Sequence, residues 1–221
     1  GGQPLHAIDE TQPYPERFPT AYCSSKAGAE RVVLAKGGVT AVTVVRMCSI
    51  WGEGDPYHLG AFLALARLGP VMRLGRGPAP TQGVYVRNGA HLLVLAARAL
   101  LAGQPGIAGE IFFATDFAPH SFFDLLEPFI QAAGGRMMPR ALALPRLPMK
   151  ALAHVLTFAA RVLRPVYPFT PLLTPFSVDY VCQEFTVVTD KAALRLGYAP
   201  IYSEAEAKAR TTDSVRGCLR G

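Results

Sequence analysis

Thr40-Ala41-Val42-Thr43-Val44-Val45-Arg46 is a β-branched run that leads directly into Met47-Cys48-Ser49-Ile50-Trp51-Gly52-Glu53-Gly54-Asp55. β-branched side chains on both faces of a short run mark a buried parallel strand, here expected over 40–46. The Gly-rich turn then leaves the carboxyl end of that strand, the edge where open α/β sheets bind their ligands. Upstream, a helix is expected over 20–36, with Val32, Val33 and Leu34 buried and Gly37-Gly38 as its stop. Tyr22 and Lys26 are four residues apart on one face of that helix, so a phenol and an ammonium can converge. A free tyrosine ionises near pH 10, and a neighbouring fixed positive charge favours the phenolate. Such a pair can move a proton to or from a carbonyl or hydroxyl oxygen. A boundary tyrosine above a solvated lysine is the plainer reading of the same spacing.

Downstream, the pattern keeps alternating. Helices are expected over 58–68, from Asn88 as cap to 102, over 121–133, 190–196 and 203–215. Strands are expected over 82–86, 110–115 and 185–188. Phe122, Leu125, Leu126 and Phe129 form the buried face of the fourth helix, and Gly197 closes the one at 190–196. Residues 1–20, polar and Pro-rich, read as a surface loop, as does the Gly/Pro-rich stretch 75–80. The class is α/β, the carboxyl-terminal part of a Rossmann-like doubly wound sheet with a smaller substrate-binding or lid region. Residues 1–135 form the sheet part interleaved with substrate-binding elements. Residues 136–221 form an apolar lid or membrane-contact segment and a carboxyl-terminal helical region.

Composition narrows the partners. The 221 residues are 50% hydrophobic and only 17% charged, with a formal net charge of +6. No basic stripe with interleaved aromatics is present, which argues against nucleic acid. An anionic cofactor or an anionic membrane surface suits the charge better. Cys23, Cys48, Cys182 and Cys218 have no Cys-x-x-Cys spacing, so free thiols are expected and a metal site is not. The chain opens on Gly, which reads as a fragment.

The Pro-rich stretch 139–176 holds an apolar run too short to span a bilayer. Lys150, Arg161 and Arg164 flank its apolar face, as in an interfacial helix. A lid over a hydrophobic pocket and contact with a membrane surface both fit. Weaker candidates have structural readings beside functional ones. His91 reads as a core histidine, Asp116 as an acceptor for loop hydrogen bonds and Arg87 as a solvated cation. Arg76 stands open between cofactor phosphate and solvent, and Trp51 and Tyr57 between pocket and core. Glu53 and Asp55 share a loop but have no partner base to make a catalytic dyad.

Taken in order, the Tyr-x-x-x-Lys helix is followed by Arg46-x-x-x-Ile50-Trp51-Gly52-x-Gly54-Asp55 and Val84-Tyr85-Val86-Arg87-Asn88-Gly89-Ala90-His91. Then come Phe112-Phe113-Ala114-Thr115-Asp116, Thr186-Val187-Val188-Thr189-Asp190-Lys191 and Leu196-Gly197-Tyr198. This set resembles the carboxyl-terminal part of an extended short-chain dehydrogenase/reductase, in particular the 3β-hydroxysteroid dehydrogenase branch. Arg164-Pro165 and Pro171-Leu172-Leu173-Thr174-Pro175 point to that branch. The resemblance implies Tyr22 as catalytic acid-base group, and Lys26 as holder of the nicotinamide ribose that eases ionisation of Tyr22. It implies Met47, Cys48, Ser49 and Ile50 along the nicotinamide ring. The implied reaction is hydride transfer between the C3 hydroxyl or ketone of a sterol or steroid and NAD or NADP. The family's Gly-rich phosphate loop, its upstream Ser/Thr and the residue that selects the cofactor have no match in this chain. Met47 stands where relatives have Pro, and Phe112 and Phe113 lack the hydroxyl that isomerising members use. Alternatives are a nucleotide-sugar epimerase or dehydratase, and a non-catalytic fragment without cofactor binding. The resemblance further implies the cytoplasmic face of an intracellular membrane (the endoplasmic reticulum in a eukaryote) or else the cytoplasm, and it leaves a homodimer open.

Overall fold

The computed structural model describes residues 3–36, 40–77 and 79–218. In chain order the elements are β1 (Leu5–Ile8), α1 (Ala21–Ala35), β2 (Val44–Met47), β3 (Ile50–Trp51), α2 (His58–Leu68) and β4 (Pro80–Thr81). They continue with β5 (Val84–Tyr85), α3 (Val86–Leu101), β6 (Ile111–Ala114), β7 (His120–Ser121), α4 (Phe122–Ala132) and a 3₁₀ turn, Arg140–Leu142. The last are α5 (Arg146–Leu163), α6 (Pro175–Cys182), β8 (Phe185–Val187), α7 (Asp190–Leu196) and α8 (Glu204–Cys218). The chain is α/β, as its alternation implied, and its strand pairs are mostly parallel. β2 runs parallel to β6 with Val44 beside Ile111, and β3 runs parallel to β5. A third sheet has the order β1-β8-β4-β7.

Local chemistry sets the ends of these elements. Thr20 caps α1 by accepting a hydrogen bond from the Cys23 N–H at 3.1 Å. Asp55 does the same for α2, accepting from the N–H groups of Tyr57, His58 and Leu59. Thr174 and Ser177 make a reciprocal capping box at the start of α6. Gly197 ends α7 in the left-handed region, φ +63°, which a side chain would disfavour.

Several expectations fail for physical reasons. Leu5–Ile8 is not loop but a strand, held by parallel pairing with β8. The run at 40–46 yields a strand only from Val44, where the ladder with β6 begins at the Val44–Ile111 pair. That strand is half-buried, not buried: among the described residues only β6 pairs with it. Val32 and Val33 are 57% and 41% exposed, because α1 packs inward chiefly through its small residue Ala27. Asn88 does not cap its helix. α3 begins at Val86, and Asn88 is fully buried in its first turn. The glycines at 37–38, Pro78 of the loop at 75–80, Arg220 and the side chain of Cys218 lie outside the described residues. Cys23, Cys48 and Cys182 are free thiols.

The largest core cluster joins Trp51, Tyr85, Phe122, Phe123, Phe129 and Ile130 with Val215 from α8. A second cluster seats α3 and α7 on β6 through Leu92, Ala96, Phe112, Ala192 and Leu196. These two clusters fix β2, β3 and β5 from behind. Their carboxyl ends therefore face an open cleft.

Candidate active site

The cleft has a volume of about 1530 Å³, and α1 forms one wall of it. Tyr22, Lys26, Met47, Cys48, Ser49 and Ile50 all line it, so the two sequence-separated groups of candidates meet in one place. Tyr22 is 66% exposed, and the Lys26 ammonium sits 5.5 Å from the centre of its ring. That separation is within cation–π range, so the charge rests over the ring face.

A carboxylate sets the position of α1 against β2. Glu30 accepts two hydrogen bonds from Arg46, Nε at 3.1 Å and Nη2 at 2.7 Å, and a third from the Tyr14 hydroxyl. Burial acts to raise the Glu30 carboxyl, but the Arg46 and Tyr14 hydrogen bonds outweigh it and hold it below the usual range. Arg46 lies immediately before Met47. The forked contact therefore couples the Tyr22 face of α1 to the strand end.

The four residues at that strand end behave differently. Met47 turns its thioether toward α3: a Cβ added at Gly89 would lie 3.1 Å from the sulfur. Its backbone is what it offers the cleft. Cys48 is 3% exposed, and burial, with the negative charges of Asp116 and Glu10, pushes its thiol up to about 12. It is an inert packing group rather than a nucleophile. Ser49 shares a 2.7 Å hydrogen bond with the Tyr180 hydroxyl of α6. Ile50 is half-exposed beside them.

Sequence reasoning missed Tyr180, His58 and His154, which also line the cleft. His58 stacks on Tyr180 with ring centres 5.4 Å apart. Ser49 and Tyr180 are 131 positions apart, and no local pattern announces that contact. The remaining candidates have structural duties. Asp116 accepts from the Tyr85 N–H and from the Asn88 amide, both at 2.8 Å. Asn88 also donates to the Tyr202 carbonyl and accepts from the N–H groups of Ile201 and Tyr202. Arg76 donates to the Ala143 carbonyl, and Arg87 pairs with Glu53 at 3.0 Å. Arg210 reaches the same Glu53 oxygen. Trp51, buried in the core, and the exposed Tyr57 both also border the cleft. His91 is half-buried near the Tyr198 ring.

α5 and α6 close the far side of the cleft. Asp179 of α6 takes Arg146 at 2.7 Å and Lys150 at 2.6 Å from α5. Lys150 thus belongs to an ion-paired seam between α5 and α6. Burial works to raise the Asp179 carboxyl, and Lys150 and Arg146 overcome it and hold it low.

What the cleft can do follows from its groups. One phenol and one ammonium stand on a solvent-accessible wall opposite a strand-end backbone, with aromatic and aliphatic walls around them. That donor set fits the ribose and ring of a nicotinamide and a substrate oxygen beside them. Among the described residues no cluster of His, Cys, Asp or Glu is arranged to hold a metal.

Comparison with known proteins agrees with this picture. Residues 1–146 match the model of the 3-beta hydroxysteroid dehydrogenase/isomerase family. The chain is 32% identical over 226 residues to 3 beta-hydroxysteroid dehydrogenase type 7 of Mus musculus, covering 97% of this chain and 61% of that protein. It is 33% identical over 213 residues to a 3 beta-hydroxysteroid dehydrogenase/Delta 5→4-isomerase of Mycobacterium tuberculosis, covering 94% and 55%. The chain thus spans a little over half the length of these curated relatives. Among solved structures it resembles a UDP-galactose 4-epimerase, with a TM-score of 0.63 at 15% identity over 96% of this chain and 58% of that one. It also resembles a dTDP-glucose 4,6-dehydratase of Streptomyces venezuelae, with a TM-score of 0.60 at 19% identity over 96% and 55%. At those identities the likeness is one of fold.

Proposed function

Since the chain belongs to the 3-beta hydroxysteroid dehydrogenase/isomerase family, we propose that its protein transfers a hydride between the C3 position of a sterol or steroid and a nicotinamide cofactor. The observation that carries this reading is the meeting of Tyr22 and Lys26 with Met47, Cys48, Ser49 and Ile50 around one cleft. The nicotinamide, when bound, supplies the hydride chemistry. The protein's own part is then to move one proton and fix the geometry. Tyr22 exchanges that proton with the C3 oxygen through its hydroxyl. Lys26 holds the ribose hydroxyls, and the Met47–Ile50 backbone borders the ring face. Met47 suits that role because its side chain is occupied with α3 and leaves its backbone free to contact the ring. Apolar walls from Trp51, Phe122 and Phe176 keep water from a flat hydrocarbon substrate.

Changing Tyr22 to Phe in the enzyme should abolish sterol turnover and leave NADH binding intact, with calorimetric titration as the binding measurement. Retained turnover would exclude Tyr22 as the proton-transfer group. A nucleotide-sugar substrate is the competing reading, and turnover of a UDP-sugar but of no sterol would favour it.

A peripheral membrane contact through α5 is part of the same proposal. Leu147, Val155, Phe158 and Val162 recur on one face of α5 and are 77%, 63%, 69% and 58% exposed. Arg161 and Arg164 stand at its carboxyl-terminal end. Among the described residues no helix is long and apolar enough to cross a membrane, so the stripe suits a helix lying in the interface. Flotation with anionic liposomes tests it: a protein left wholly in the soluble fraction counts against the contact.

A further inference from the structure

Ser49 stands between β2 and β3 with its backbone held. Its carbonyl accepts from the Val84 N–H at 3.2 Å, and the Cys48 N–H before it donates to the Ala114 carbonyl at 3.0 Å. Its side chain meets the Tyr180 hydroxyl at 2.7 Å. Tyr180 is fixed in turn by a wall of rings from α2, α4 and α6. His58 stacks on it with centres 5.4 Å apart, Phe122 meets it edge-on at 5.8 Å and Phe176 lies tilted at 6.0 Å. All five residues border the cleft.

Each hydroxyl carries one hydrogen and has lone pairs to accept with. The mutual bond consumes one hydrogen, and among the described residues neither oxygen has a further partner. The pair therefore offers the cleft one donor and one acceptor side by side. Burial raises the Tyr180 phenol above its ordinary value, against the Ser49 hydrogen bond that lowers it. Tyr180 thus stays a neutral hydroxyl and does not compete with Tyr22 for proton transfer. A planar carboxamide carries the complementary set, an N–H and a carbonyl oxygen on one carbon. A sterol's C3 oxygen would use only half of the pair, and in the reading above it is served by Tyr22. The ribose hydroxyls in that reading belong to Lys26.

We propose that the Ser49 and Tyr180 hydroxyls together hold the carboxamide of the nicotinamide. The proposal rests on the dehydrogenase reading of the cleft and adds two side-chain contacts to the backbone that borders the ring. Turning the ring over about its bond to the ribose would carry the carboxamide to the opposite side. Holding that group therefore decides which face of the ring meets the C3 carbon. Because the ring wall fixes Tyr180 beforehand, little ordering is needed on binding.

Calorimetric titration of the enzyme and of a Ser49→Ala/Tyr180→Phe double variant tests it. Phenylalanine keeps the ring in the wall and removes only the hydroxyl. The ligands are the reduced cofactor that the wild type binds (NADH or NADPH), its 3-acetylpyridine analogue and the matching ADP-ribose. The analogue replaces the carboxamide NH₂ by a methyl group, and ADP-ribose keeps the ribose but lacks the nicotinamide. The double variant should bind the reduced cofactor about tenfold or more weaker and ADP-ribose within about twofold. Wild type should prefer the reduced cofactor over the analogue by about threefold or more, and the variant should lose that preference. Equal losses for the reduced cofactor and ADP-ribose overturn the carboxamide assignment, because they mark a general disturbance of the cleft. So does an unchanged cofactor affinity, or a preference over the analogue that survives in the variant. Failure of the wild type to bind any of the three overturns the dehydrogenase reading itself, and the carboxamide assignment with it.

Discussion

Asp116→Asn should make the protein more stable at neutral pH and remove part of its pH dependence. Burial pushes the Asp116 carboxyl up to about 6, against hydrogen bonds from Asn88 and from the Tyr85 backbone that pull it down. In an unfolded chain it would ionise near about 3.9. A carboxyl raised in the folded state costs nothing below the unfolded value, and stability is lost as pH climbs from there through about 6. The gap of about two pH units corresponds to a cost of about 3 kcal/mol at neutral pH, about half of it already present at pH 5. Asparagine retains an oxygen for the Tyr85 N–H and the Asn88 amide. Its own NH₂ falls where the second Asp116 oxygen is buried without a partner, which costs about 1 kcal/mol or more. The net gain at pH 7.5 is about 1–2 kcal/mol, or about 2–8 °C in Tm for a chain of this size. Urea unfolding at pH 5 and pH 7.5 measures it. The variant's advantage over the wild type should grow by about 1 kcal/mol between the two values. An advantage that is the same at both pH values would refute the assignment of a buried, neutral-leaning carboxyl.

Other substitutions read other parts of the structure. Gly83→Ala would put a Cβ 2.7 Å from the Ser49 carbonyl and 3.1 Å from Trp51 Cδ1. It should cost about 1–3 kcal/mol in urea unfolding and lower turnover by displacing the strand end; a neutral result on both would show that the backbone there can give way. Asn88→Ala removes four hydrogen bonds from a fully buried site. A loss of about 3 kcal/mol is expected, with faster amide exchange in α8, whose entry at residues 201–202 Asn88 holds. Asp179→Asn leaves Arg146 and Lys150 without their shared carboxylate. Because that carboxyl is held low in the folded state, its contribution is present above the ordinary aspartate range and is lost as pH falls through the folded value. Limited proteolysis of wild type at acid pH and of Asp179→Asn at neutral pH should therefore open the same α5–α6 segment.

The sequence was most readable where local rules are sufficient. α2 runs His58–Leu68, as its punctuation implied, and α7 ends at Gly197, where only local backbone geometry is at stake. The buried face of α4 followed from spacing, and Phe122, Leu125, Leu126 and Phe129 all lie inside. Legibility failed where the partner is remote. Four residues at Leu5–Ile8 look like loop until β8 arrives to pair with them. Asn88 looks like a cap until Asp116 and the 201–202 backbone surround it. Val32 and Val33 were misplaced because hydrophobicity alone does not reveal which face a neighbouring element covers. In the cleft, Tyr22 and Lys26 carried a local signal, since helical spacing puts them together. The Ser49–Tyr180 bond and the ring wall behind it had none, because they are made by segments that only the tertiary fold brings together.

The pairing of β1 with β8 has a consequence for synthesis. Leu5 lies beside Phe185 and Ile8 beside Val187, so this contact spans nearly the whole of the described chain. A ribosome adding roughly 5–20 residues per second would need roughly ten to thirty-five seconds between the two strands. Among the described residues β8 is the strand that pairs with β1, so Leu5–Ile8 waits that interval for this partner. Closing so long a loop also places this sheet late in folding. Slower translation should therefore lengthen the wait before this pair of strands can form.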